Sequence, residues 1–168
     1  HNKVVIMGHK FSDNDAVGAS VAMEYFCRQN GVNAKVVIDE KKSLAGPLIK
    51  YLRDNGYDKF IDHDEGKRFC DSKTLVIVVD THVENLLESD DVYEDGGKKI
   101  VIDHHRRNAD YIDDAEIFYH LPLSSSTCEM VSELIEYSAT QMTLPPEIAT
   151  ALLAGIVLDT KDYVLKTS

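Results

Sequence analysis

Five consecutive aliphatic residues, Leu75-Val76-Ile77-Val78-Val79, constrain the fold of this chain more than any other feature. A run that is apolar at every position, without alternation, suits a strand covered on both faces, and such strands sit at the centre of parallel sheets. A central parallel strand needs crossover connections and helices above and below it. The run ends abruptly on Asp80, which places a carboxylate at the carboxyl edge of the sheet.

The remaining pattern fits that frame. Lys3 to Met7 reads as a first strand, and Asp15 opens a helix with the apolar stripe Val17, Val21, Ala22, Tyr25 and Phe26, ended by Gly31. Ala34 to Asp39 is a second strand, Leu44 to Asn55 a helix buried through Leu48, Tyr51 and Leu52, and Phe60-Ile61 a short strand. Residues 83 to 98 read as an acidic loop with a helical turn at Glu84 to Glu88. Lys99 to Ile102 is a strand and Ile117 to Tyr119 an edge strand. Ser126 and Glu129 have capping-box spacing for a helix running to Tyr137. Pro145 and Pro146 suit the first turn of a last helix, which carries Ile148, Leu152, Ile156 and Leu158 and presents Asp159 near its end. Strands alternating with helices predict an α/β fold: a doubly wound, mostly parallel sheet with helices on both faces.

The 168 residues match one domain, and 43% hydrophobic content supplies its core. The net charge of −11 excludes passive binding to duplex nucleic acid, which needs clustered Lys and Arg. Cys27, Cys70 and Cys128 lack CxxC spacing, which argues against structural zinc and a disulfide framework and for a reducing, cytoplasmic compartment. Cys27 and Cys128 fall in helical patterns as core residues. No apolar run approaches the roughly 20 residues that span a bilayer, so no membrane contact is expected of this chain. Lys3 already begins a strand and Ser168 ends without a tail, so a piece of a longer protein is expected.

Three strands deliver Asp or His at their carboxyl ends: His9, Asp13 and Asp15 after the first, Asp80 after the central one, and Asp103-His104-His105 after the next. Right-handed crossovers hold those ends on one edge, where open α/β sheets bind ligands. Asp13 and Asp15, two apart just before a helix, can face two adjacent ions. Crowded carboxylates repel unless cations compensate them, and oxygen ligands with imidazoles suit two manganese ions, or magnesium, cobalt or iron. Asp80 is the candidate bridge. Such a pair activates water for in-line attack at phosphorus. His105 is placed to donate a proton or hydrogen bond to the phosphate, while Arg106 and Arg107 either clamp it or form a solvated basic turn.

The segments His9-x-x-x-Asp13-x-Asp15-Ala16-x-Gly18-Ala19, Val78-Val79-Asp80-Thr81-His82, Asp103-His104-His105 and Leu153-Ala154-Gly155-Ile156-x-x-Asp159-Thr160 together resemble, in order, the four motifs of the DHH phosphoesterase family. The resemblance covers most of the chain, taken as a DHH domain over residues 1–168. It implies one manganese held by His9, Asp13 and Asp80, a second by Asp15, Asp80, His104 and Asp159, and Asp103 orienting its neighbours. With Ser125-Ser126-Thr127-Cys128-Glu129, the chain looks most like the catalytic domain of GdpP-type cyclic-di-AMP phosphodiesterases. That likeness implies a cyclic dinucleotide or short oligonucleotide as substrate, opened to linear pApA. It also implies a parent chain with membrane-spanning segments and a substrate-binding DHHA1 domain, whose Gly-Gly-Gly-His signature is lacking here; Gly96-Gly97 is followed by Lys98. An oligoribonuclease or pAp phosphatase and an inorganic pyrophosphatase of the same family are the nearest alternatives. A regulatory nucleotide- or metal-binding module is the alternative from another class.

Overall fold

The structure, a computed structural model, describes residues 2–107 and 109–161; Ser168 lies outside them. Six strands, β1 (Lys3–Met7), β2 (Asn33–Val37), β3 (Phe60–Ile61), β4 (Leu75–Val79), β5 (Lys99–Asp103) and β6 (Ile117–His120), form one sheet in the order β3-β2-β1-β4-β5-β6. Every neighbouring pair is parallel. The aliphatic run is β4, paired on both sides, with Val76, Val78 and Val79 fully buried. Strand order reverses between β1 and β4, the point at which open sheets leave a crevice at their carboxyl edge.

Alternate side chains of the central strands feed two cores. Val4, Ile6, Ile77 and Val79 pack with α1 (Asn14–Gln29), α2 (Gly46–Asp54), α5 (Thr127–Glu136) and α6 (Pro146–Thr160). Val5, Met7, Val76 and Val78 face the other way, toward α4 (Asp90–Asp95) and the segments around Cys70 and Leu87. Cys27 and Cys128 are both buried. Among the described residues, no helix is long and apolar enough to cross a membrane.

Two helices lie where none was expected. The helix α3 (His63–Phe69) carries a reciprocal capping box between Asp62 and Glu65, but of its seven residues only Gly66 is buried, so it has no apolar period to read. Gly66 is small because Val37 and Val92 pack against it; an added Cβ would sit 2.9 Å from Val37 Cγ2. The acidic stretch holds a 3-10 turn (Glu84–Leu86) and then α4, capped by Ser89 and anchored by Val92 and Tyr93. The box expected at Ser126 is shifted: Ser126 Oγ accepts from Glu129 N–H, while the Glu129 carboxylate takes the N–H and hydroxyl of Ser125.

Candidate metal centre

The first helix begins one residue earlier than expected, because Asp13 rather than Asp15 marks its start. One Asp13 carboxylate oxygen accepts the N–H groups of Asp15 at 3.0 Å and Ala16 at 3.1 Å, which are orphan donors of the first helical turn. Asp15 is thereby turned inward. Its buried carboxylate is met by the N-terminus of α5, where Thr127 N–H donates to Oδ2 at 2.7 Å and Cys128 N–H to Oδ1 at 2.8 Å. Burial, then the charges of Asp80 and Asp159, push the Asp15 pKa well above the usual carboxylate range.

Asp80 turns out of β4 in the left-handed region, at φ 61°, with its N–H bonded to Ile102 O at 2.9 Å. A non-glycine residue in that region stores backbone strain, and the surrounding structure has to hold it there. The Asp80 carboxylate is 2% exposed and stands between two groups of ligand-competent side chains. Oδ2 lies 3.5 Å from His9 Nε2, which is itself 3.8 Å from Asp13 Oδ1. Oδ1 lies 3.6 Å from His104 Nε2 and accepts the Thr127 hydroxyl at 2.8 Å. His104 Nε2 is 3.7 Å from Asp15 Oδ2 and 3.0 Å from Asp159 Oδ2. The residues His9, Asp13 and Asp80 thus form one compact group, and Asp15, His104 and Asp159 another.

The imidazoles are set for coordination through Nε2. His9 Nδ1 donates to Lys10 O at 2.9 Å and His104 Nδ1 to Ser124 O at 3.3 Å, which leaves both Nε2 lone pairs aimed inward in the neutral ring. His104 Nε2 is buried with no well-aligned hydrogen bond, facing the Asp159 carboxylate at 3.0 Å. An orphaned imidazole nitrogen among carboxylates fits a divalent cation with mixed oxygen and nitrogen ligands. Without a cation the carboxylates recruit protons. Burial opposes charge on His9, yet Asp13 and Asp80 hold its pKa up to about 11. On His104 burial is likewise outweighed by Asp159, Asp80 and Asp15, giving about 9.

Asp103 sits behind this floor, wholly buried. Its Oδ1 accepts from His105 Nδ1 at 2.8 Å and from the His104 N–H at 2.9 Å, and its Oδ2 from His82 Nδ1. Burial raises its pKa less than these donors lower it, and the result is about 2. His120 on β6 donates from Nε2 to the His105 carbonyl. The two arginines divide: Arg106 lines a cleft of about 370 Å³ together with His9, Asp13, Asp80 and His105, whereas Arg107 lies over the Tyr111 ring at 4.0 Å.

All the expected ligands therefore converge on one edge. His82 and Thr127 join them; both stood within the motif segments, but with no role assigned to them, and His120 was not singled out at all. Thr127 is the first residue of α5, just after the Ser126 cap, and single residues of this kind carry no periodic signal.

Comparison with known proteins agrees with this architecture. The model of the DHH family, N-terminal domain, matches residues 3–156. The cyclic-di-AMP phosphodiesterase GdpP of Bacillus subtilis is 36% identical over 172 residues, covering 99% of this chain and 26% of the relative. A probable manganese-dependent inorganic pyrophosphatase of Streptococcus mutans is 27% identical over 173 residues, covering 95% of this chain and 48% of that one. An exopolyphosphatase-related protein from Bacteroides fragilis superposes with a TM-score of 0.81 at 24% identity, over 96% of this chain and 47% of its own, which speaks to fold alone. The chain thus spans about a quarter of the length of its GdpP relative. With four motifs meeting at one sheet edge and a family match over nearly its whole length, the chain belongs to the DHH family.

Proposed function

We propose that this chain is the catalytic DHH part of a manganese-dependent phosphodiesterase that opens cyclic-di-AMP to linear pApA. The observation that carries the reading is the placement of Asp80, whose Oδ2 faces His9 at 3.5 Å and whose Oδ1 faces His104 at 3.6 Å, between the two groups. His9, Asp13 and Asp80 would hold one ion, and Asp15, Asp80, His104 and Asp159 the other. Bound there, the ions would supply an acidified water and neutralise charge developing on the phosphoryl oxygens.

The chain's own groups do the rest. Asp103 fixes the ring of His105 through Nδ1, so that the other ring nitrogen is the one left to hydrogen-bond or protonate a phosphate oxygen. Arg106, in the same cleft, supplies a guanidinium for the phosphate. Thr127 holds the Asp80 carboxylate in place by its hydroxyl. The identity to GdpP supports the cyclic dinucleotide, and further substrate contacts are expected from a DHHA1 domain of the parent chain, whose membrane anchoring belongs to the same proposal.

The pyrophosphatase relative motivates a second reading, hydrolysis of inorganic pyrophosphate at the same centre. Hydrolysis of cyclic-di-AMP, pApA, pAp and pyrophosphate with manganese separates the two. Cyclic-di-AMP is expected to be preferred, and Asp80→Ala to lose roughly a hundredfold or more in rate while the chain stays folded. Preference for pyrophosphate would remove the cyclic-dinucleotide claim. A parent chain inert toward all four, yet saturable with manganese, would favour a regulatory module.

A further inference from the structure

We propose that Leu86, backed by Val83, is a nucleobase-packing wall inside the catalytic cleft, so that the chain itself selects nucleotides over base-free phosphates. The proposal rests on the phosphoesterase reading above and names the substrate class of that same site.

The cleft that opens over His9, Asp13 and Asp80 is lined by Val83 and Leu86 as well. Nothing in phosphoryl transfer needs these apolar groups. An inorganic phosphate compound would leave Leu86 in water, where its 48% exposure gains nothing. A nucleotide brings a flat ring with apolar faces into the same space, tethered to the phosphate that the polar floor holds.

Leu86 is also held more firmly than a stray surface leucine. Its carbonyl accepts the Lys10 N–H at 2.7 Å, its own N–H donates to Val83 O at 3.0 Å, and Lys10 Nζ reaches Asn85 O at 3.2 Å. The next residue, Leu87, is completely buried and pairs with His9 across an isolated bridge, and Glu88 N–H bonds Gly8 O at 3.0 Å. The 3-10 turn is therefore strapped to the strand-end segment that carries His9. A ring packed on Leu86 has a fixed offset from the metal-ligating groups, which is what selection by position requires.

Size points the same way. Clefts that hold small ligands start at about 300 Å³, so about 370 Å³ is room enough for one nucleotide unit. The wall accordingly receives one base. Arg106 lines the same space and offers a planar cation to the ring or to the phosphate.

The test is calorimetric titration of the manganese-loaded chain with 5′-AMP and with ribose 5-phosphate, which carries a hydroxyl where AMP carries the base. AMP is expected to bind roughly tenfold or more tightly, the scale set by taking part of a leucine and a ring face out of water. Leu86→Ser should abolish that preference and leave ribose 5-phosphate affinity unchanged; Leu86→Thr is the second variant if the first folds poorly. Equal binding of AMP and ribose 5-phosphate by the unaltered chain would overturn the wall while sparing the phosphoesterase reading, as would equal weakening of both ligands by the substitution. Failure of both ligands to bind the manganese-loaded chain would also overturn the wall, since the chain would then select no nucleotide by itself, whereas the phosphoesterase reading falls only if the parent chain hydrolyses none of the four phosphate compounds.

Discussion

Replacing Gly155 with alanine would add one methyl group where α6 passes closest to Asp15. A Cβ there would lie 2.4 Å from Cys128 Sγ, 2.8 Å from Asp15 Cα and 2.9 Å from Asp15 Oδ1. Two effects oppose each other. Alanine in a helix interior is favoured over glycine by about 1 kcal/mol, whereas forcing a methyl into a close-packed crossing costs about 1–3 kcal/mol. Because one of the crowded atoms is backbone, crowding should win, leaving a net loss of up to about 2 kcal/mol, or a few degrees in Tm for a domain of this size. The larger consequence falls on the site. The Asp15 carboxylate is seated between Thr127 N–H at 2.7 Å and Cys128 N–H at 2.8 Å, so the helix can relax only by unseating it. Misplacing a ligand in this way is expected to weaken manganese binding about 10- to 100-fold. Thermal unfolding of the metal-free chain and manganese titration by calorimetry measure the two effects separately. Adding Cys128→Ala removes the nearest contact and should restore part of the loss. A Gly155→Ala chain that melts higher and binds manganese within twofold of the original would refute the reasoning, since helix propensity alone would then have decided the outcome.

Three further outcomes are expected. Asp103 is held at about 2 against an ordinary 3.8, so its contribution to stability, about 2 kcal/mol, is fully present above pH 3.8 and lost as the pH falls through 2; acid unfolding followed by circular dichroism should fall in that window. Phenylalanine in place of His82 removes one donor from this buried carboxylate and should cost about 1–3 kcal/mol in denaturant melts, with the acid transition moving toward higher pH. With His9 and His104 held up to about 11 and about 9 in the cation-free site, manganese must displace their protons, and its affinity should rise with pH, steeply to about 9 and less steeply to about 11; calorimetry in buffers of different ionisation enthalpy would detect the released protons, and a pH-independent affinity would contradict the arrangement.

The sheet was legible because its strands announce themselves. Leu75 to Val79 and Ile100 to Ile102 are apolar on both faces, and only a strand buried from both sides needs that. The helices α3 and α4 were not, because one turn or two with a single glycine or two apolar residues inside offers no period to detect. The capping pair Asp62 and Glu65 was the signal available for α3. At the site, the acidic and imidazole groups stood at strand ends and could be gathered by topology alone. Thr127 could not, since its bond to Asp80 joins positions 47 residues apart and is made by the docking of a helix rather than by any local pattern. The helix expected to open at Asp15 starts at Asn14, because the Asp13 side chain takes the N–H groups of Asp15 and Ala16 and so serves as the cap.

The two ligand groups draw on very different lengths of polypeptide. His9, Asp13 and Asp80 are all in hand once β4 has docked beside β1, whereas Asp15, His104 and Asp159 wait for the last helix to cross α1. A displacement of α6 against α1 would therefore reach the second group directly, through Asp159, and leave the first group's side chains on the segments that follow β1 and β4.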